Sequence, residues 1–345
     1  LRDPVVWGGG LIVLVLSAVL GWWVQRTHWA AVGVVRVAAV VALGSPLLAV
    51  LLSAPSEHDQ RATGPNVVVM TLDTTRADHL GVYGSSNATP SLDEIARQGA
   101  VFDTVVSSSP LTEPAHLGLF TGQAPHASGV VSNGTHIGDR PGLVYRQLQD
   151  AGYATAGFVA AFPVHARFGW AQGMDVYDDD FGGLAGLHRL NLVKAWDQLA
   201  LRQHVLRERP GGQVVDRALD WLGRRPPGPF FMWVHMFDAH GPYEAPGHPF
   251  DPAAQGQQMQ LPAYWPPAHR AIVDADWLLE AYAAEVRYVD AQVGRLIDAL
   301  GQEGVLDNTI VVVTADHGES LMENGLLFDH GDDLFEPSLR IPLLV

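Results

Sequence analysis

The sequence predicts an α/β domain with a mostly parallel central sheet and helices on both faces. Three observations predict it. Strand-like and helix-like segments alternate from residue 66 to the chain end. The strand-like segments are nearly continuous apolar runs, as expected of strands covered on both faces. Polar residues able to do chemistry follow those runs directly, at the sheet edge where open α/β folds bind ligands.

Asn66–Leu72 (NVVVMTL) reads as the first buried strand. Ser91–Gln98 is a short helix opened by Pro90, and Val101–Val106 is the second strand. Pro141–Ala151 reads as a helix and Tyr153–Val159 as a strand. Gln213–Gly223 is a helix with Val214, Val215, Ala218, Leu219 and Leu222 on its apolar side. Phe230–His235 is a strand. A long helix runs from Asp276 to Leu300, because Leu279, Tyr282, Val286, Val289, Val293, Leu296 and Leu300 keep the three-to-four spacing of one helical face. Thr309–Thr314 is the next strand, and Ile341–Val345 starts another. The Pro-, Gln- and Gly-rich stretch 247–267 reads as an excursion loop.

Two runs precede this domain. Val5 to Val24 and Ala30 to Leu52 are apolar, the second interrupted only by Arg36. Each has the roughly 20 residues needed to cross a bilayer. A buried helical hairpin is the competing reading. Trp22, Trp23 and Trp29 cluster where spans would meet the interface, which favours the membrane. Residues 1–55 therefore read as a two-span transmembrane region and 56–65 as a linker. Arg26 in the turn between the runs places that turn in the cytoplasm by the positive-inside rule. Everything after residue 55 then lies outside, in a multi-pass membrane protein with an extracytoplasmic domain. The chain opens on Leu1 and stops inside an expected strand, so it reads as a fragment, with its domain truncated at the C-terminus.

The formal net charge is −16. Residues 1–55 carry three arginines against one aspartate, so the remainder is more acidic than the whole. Nucleic acid is excluded as a partner, since it requires a basic face. The absence of cysteine excludes disulfides, zinc–thiolate sites and a cysteine nucleophile.

Four features fall at expected strand ends. The first strand runs into Asp73, and Thr309–Thr314 leads into Asp316-His317-Gly318-Glu319. Asp and His together suit a divalent metal of the zinc or manganese kind. Phe230–His235 leads towards Asp238 and His240. In Ser109-Pro110-Leu111-Thr112-Glu113-Pro114-Ala115-His116, Thr112 is placed to cap a helix beginning near Pro114. Its hydroxyl would then sit beside the positive end of a helix dipole, a setting for phosphate or sulfate. A plain helix cap is the alternative.

The segments NVVVMTLDTTRADHLGVYG, TPSLDEIARQGAVFDTVVSSSPLTEPAH, LFTGQAPHASGV, FFMWVHMFDAHGPYEAP and VVVTADHGESLMENGLLFDHGDDLFEPSLRIPLLV resemble the sulfatase family of the alkaline phosphatase superfamily. They do so in order, across most of residues 66–345. The resemblance implies an alkaline phosphatase/sulfatase-like fold. It implies metal ligands at Asp73, Asp316 and His317, with the nucleophile at Thr112 also facing the metal. It implies catalytic histidines at His240 and His330, which would meet the transferring group or its leaving oxygen. His116 and His235 are expected at the substrate.

Departures from the family pattern narrow the chemistry. Thr74 stands where a second acidic residue is common. Thr112 and His116 stand where sulfatases proper carry the Cys or Ser and the Arg of their formylglycine motif. Thr cannot give that aldehyde, so no formylglycine is expected. Thr112 would instead attack as a metal-activated alkoxide, with one divalent ion (Mn, Zn, Ca or Mg) as cofactor. The resemblance thus implies a metal-dependent hydrolase or transferase of sulfate or phosphate esters. A phosphoethanolamine- or phosphoglycerol-type transferase of lipid or envelope glycan is the alternative within the class. A catalytically inactive binding or sensing module is the alternative from another class.

Overall fold

The apolar runs become strands and the amphipathic ones helices, in a computed structural model that describes residues 62–181, 208–247, 261, 262, 265 and 274–345. The two expected spans and most of the 247–267 stretch lie outside the described residues. Among the described residues, no helix is long and apolar enough to cross a membrane.

In chain order the strands are β1 (Asn66–Leu72), β2 (Val105–Val106), β3 (Ala154–Phe158), β4 (Val176–Asp178), β5 (Phe230–Met236), β6 (Thr309–Thr314), β7 (Ser320–Leu321), β8 (Leu327–Asp329), β9 (Arg340–Ile341) and β10 (Leu343–Leu344). The helices are α1 (Pro90–Gln98), α2 (Thr112–Thr121), α3 (Pro125–Ser128), α4 (Val144–Asp150), α5 (Gly211–Leu222), α6 (Ala275–Gln302) and α7 (Glu336–Leu339).

Six strands form the main sheet in the order β10-β6-β1-β5-β3-β4. All its pairings are parallel except that of β10 with β6. The expected mostly parallel sheet is therefore present. Thr71 of β1 is opposite His235 on one side and Thr314 on the other. This register brings the carboxyl ends of β1, β5 and β6 to one place.

Side chains alternate across β1. Val68, Met70 and Leu72 pack in one core with residues of α5 and α6, including Val214, Val286 and Leu296. Val69 joins Leu117 and Phe120 of α2, Tyr145 of α4 and Trp233 of β5 in a second core on the opposite face. Burying each such side chain contributes roughly 1.5–3 kcal/mol, so both faces hold the central strands rigid beneath their polar ends.

Two expectations change. The strand expected over Val101–Val106 pairs only at Val105 and Val106, in a separate two-stranded ribbon with β9, while Val101 makes an isolated bridge to Leu344. Exposed Asp103 and Thr104 interrupt it. The expected strand Ile341–Val345 is split at Pro342, which has no N–H for a ladder. Residues before Pro342 pair with β2 and those after it pair with β6.

Candidate functional site

Asp73 follows β1, and its amide donates to the Met236 carbonyl at 2.9 Å, which locks the exit of β1 to the end of β5. Thr74 then takes a left-handed backbone with φ of 54°, a conformation that costs a β-branched residue energy. Its amide donates to Asp316 Oδ1 at 3.3 Å. Asp316 and His317 follow β6. Asp73, Asp316 and His317 each offer a ligand atom within 4.8 Å of the others.

Hydrogen bonds orient these atoms. His317 Nδ1 lies 2.9 Å from the Gly318 carbonyl, which can only accept, so Nδ1 carries the proton and Nε2 keeps its lone pair. That Nε2 lies 3.4 Å from Asp316 Oδ2 and 3.9 Å from Asp73 Oδ1. Asp73 Oδ1 and Asp316 Oδ2 are buried and have no hydrogen-bond donor. Two carboxylate oxygens buried without donors are costly, and burial with the charge of Asp316 pushes the Asp73 carboxyl up. A divalent cation would remove both costs. The donor set of two carboxylates and an imidazole fits zinc or manganese chemistry.

Thr112 is 1% exposed and sits at the first turn of α2. The residue flanking the helix is Leu111, and no side chain caps it. The expected capping role of Thr112 is therefore corrected, because Thr112 lies inside the first turn. Its Oγ1 is directed to the ligand cluster instead, 3.4 Å from His317 Nε2. The neighbouring Glu113 carboxylate accepts from the Gly134 and Thr135 amides, the latter at 3.1 Å, and ties that loop to the start of α2.

His240 and His330 are half-buried at the mouth of this cluster. The His330 ring is 4.5 Å from the His317 ring and 4.8 Å from that of His240, which in turn stacks on Phe237 at 4.1 Å. His330 Nδ1 lies 3.1 Å from Glu319 Oε1. Burial opposes the charge of His330, yet Glu319 raises it above the ordinary imidazole range. Burial, and then His330, depresses His240. Opposed directions on two adjacent histidines separate an acid from a neutral partner.

His116 and His235, expected at the substrate, lie in the interior behind the cluster. Both are fully buried, with both ring nitrogens engaged by protein groups. His116 bonds Thr112 O at 2.8 Å and Thr71 Oγ1 at 3.0 Å. His235 bonds Asp73 Oδ2 at 3.1 Å and the Ala160 amide at 3.3 Å. They stand behind the carboxylates of the cluster, held by these protein partners. Glu319, read from sequence as a candidate partner for His317, serves His330. Glu323, the other candidate, binds Arg76 at 2.8 Å.

The Sulfatase family model matches residues 65–345. The chain is 28% identical over 312 residues to the uncharacterized sulfatase YidJ of Escherichia coli, covering 81% of this chain and 62% of that protein. It is 26% identical to the choline-sulfatase of Rhizobium meliloti, over 74% of this chain and 57% of the relative. The chain thus spans about three fifths of these curated relatives, at 62% and 57%. In structure it is similar to the phosphonate monoester hydrolase of Agrobacterium radiobacter, with a TM-score of 0.59 at 19% identity, over 81% of this chain and 67% of that one. With the fold, the strand-end ligand cluster and the family match over residues 65–345 in agreement, the chain belongs to the Sulfatase family.

Proposed function

We propose that this chain is the catalytic part of a metal-dependent enzyme that cleaves or transfers sulfate or phosphate esters through Thr112. The observation that carries the reading is the Thr112 hydroxyl, buried and 3.4 Å from the unprotonated nitrogen of His317. A bound divalent cation would lower the pKa of that hydroxyl and offset charge on the transferring group. The residues do the rest. Asp73, Asp316 and His317 hold the ion. Thr112 gives its proton to solvent and its oxygen bonds to phosphorus or sulfur, in line with the breaking ester bond. The start of α2 presents its dipole to the equatorial oxygens. His330, held by Glu319, protonates the leaving oxygen, and His240 stays neutral beside it. Water, or an acceptor hydroxyl in a transferase, then displaces Thr112.

The site favours phosphorus at least as well as sulfur. Thr112 in place of Cys or Ser removes the aldehyde route, and the fold is shared with a phosphonate monoester hydrolase. The family name and the choline-sulfatase relative favour sulfate. The apolar runs at 5–24 and 30–52 support a membrane-anchored, extracytoplasmic placement with lipid or envelope glycan as substrate. The test supplies manganese or zinc to the full-length protein and compares an aryl phosphodiester with an aryl sulfate, with and without Thr112→Ala. Phosphodiester turnover lost in Thr112→Ala is the expected result. Turnover unchanged in Thr112→Ala would overturn the reading.

A further inference from the structure

A chain of four buried polar groups runs from the second core to the backbone of Thr112. Trp233 Nε1 lies 2.9 Å from Thr71 Oγ1, Thr71 Oγ1 lies 3.0 Å from His116 Nε2, and His116 Nδ1 lies 2.8 Å from the Thr112 carbonyl. With the His116 imidazole neutral, the chemistry of the two ends fixes every direction. An indole can only donate and a carbonyl can only accept. Thr71 therefore accepts from Trp233 and donates to His116, and His116 donates to Thr112. Thr71, His116 and Trp233 are wholly buried. The His116 ring is enclosed by Phe120, Trp170, Trp233 and His235. A polar chain in such surroundings is stable only when every member is satisfied, and then it admits one arrangement.

The geometry also links the chain to the ligand cluster. His116 Nδ1 lies 3.5 Å from Asp316 Oδ2. His116 follows Thr112 by one helical turn, so its ring reaches back to the first carbonyl of α2 on the side facing β1. An imidazole can accept from Thr71 and donate to Thr112 at once, whereas an arginine has no acceptor atom.

We propose that His116 is a positioning residue which, held by Thr71, sets the first turn of α2 and so aims the Thr112 hydroxyl at the metal-ligand cluster. The inference rests on the reading of Thr112 as nucleophile.

The test uses the full-length protein with manganese and an aryl phosphodiester. His116→Phe keeps an aromatic ring in the core but cannot donate. His116→Asn carries an amide N–H where Nδ1 stands. Positioning predicts that His116→Asn stays within about 10-fold of wild-type kcat while His116→Phe falls about 100-fold. KM, and manganese affinity by calorimetry, change little in either. Equal kcat in the two variants, or a loss that tracks lost metal, overturns the proposal. Should His116→Phe fail to fold, Thr71→Ser and Thr71→Val make the same comparison. Serine is then expected to keep kcat and valine to lose it, and equal values overturn the proposal. Thr112→Ala runs alongside. Turnover in Thr112→Ala defeats the nucleophile reading itself, whereas an inactive Thr112→Ala with equal Phe and Asn variants defeats positioning alone.

Discussion

His235 and Asp73 are joined across 3.1 Å in the buried floor of the site, with the histidine as donor. The direction follows from the other ring nitrogen. His235 Nδ1 accepts from the Ala160 amide at 3.3 Å, so the proton of the neutral ring sits on Nε2. Burial, and then His116, holds the ring neutral. Asp73 Oδ2 is thereby fixed, and Oδ1 is left to face His317.

The first prediction concerns metal affinity. Partners that orient a ligand carboxylate typically contribute about 10- to 100-fold in affinity. His235→Ala should weaken manganese or zinc binding by that factor in calorimetry. His235→Gln, whose amide N–H can replace Nε2–H, should recover much of it. Affinity unchanged in His235→Ala would mean that the bond to Asp73 does not orient a ligand.

A second prediction separates His330 from His240. A general acid matters most when the leaving group is poor. His330→Gln should slow an alkyl ester by about 100-fold more than a nitrophenyl ester, which needs no proton. Glu319→Gln should show the same dependence in weaker form, since Glu319 holds His330 at 3.1 Å. A loss of equal size on both esters would assign His330 to binding the anion.

Asp73, Asp316 and His317 fall together because each follows an apolar run, and a parallel sheet gathers such ends, whereas Thr112 opens a helix after a Ser- and Pro-rich loop and was singled out by that helix start and the family resemblance. The burial of His116 and His235 was not legible. Whether a strand-end or helix side chain faces solvent depends on what packs over it, and here Trp170, Trp233 and Phe120 close over the rings. The Glu319–His330 pair was also hidden. It spans the β7–β8 hairpin, whose turn carries positive φ at Met322 and Asn324, and Phe328 inside β8 is buried with φ of 50°. No hydrophobic period signals a left-handed phenylalanine. The split of the last strand at Pro342 was readable in principle, since proline cannot serve a ladder on both sides.

The third prediction is a stability effect far from the chemistry. Thr89 flanks α1 but does not cap it, because its hydroxyl accepts from the Gly81 amide at 2.8 Å. The cap comes from α6. Asp290 accepts from the Leu92 amide at 2.8 Å and the Ser91 amide at 3.2 Å. Its negative charge also faces the positive end of the α1 dipole. Asp290→Ala strands two amides where α1 meets α6 and should cost about 1–3 kcal/mol. Urea unfolding should show a lower midpoint at unchanged slope.

The last prediction is a pH dependence of stability centred on Glu285. This residue of α6 is 4% exposed and accepts from the Glu244 amide. Burial first, and then the charge of Asp238, pushes its carboxyl from 4.5 up to about 9. A carboxyl raised on folding binds its proton more tightly in the native state than in the unfolded chain. Its contribution is therefore fully present below pH 4.5 and is lost as pH rises towards about 9. Asp238 and Glu113 are raised as well, to about 6 and about 7, and slope the same way. The difference between wild type and Glu285→Gln reads this residue together with its coupling to Asp238. Glutamine keeps an acceptor for the Glu244 amide and never ionises. The Tm of wild type should fall relative to Glu285→Gln as pH rises from about 5 to about 9. A difference that stays flat across that range would show that Glu285 is ionised in the folded protein throughout.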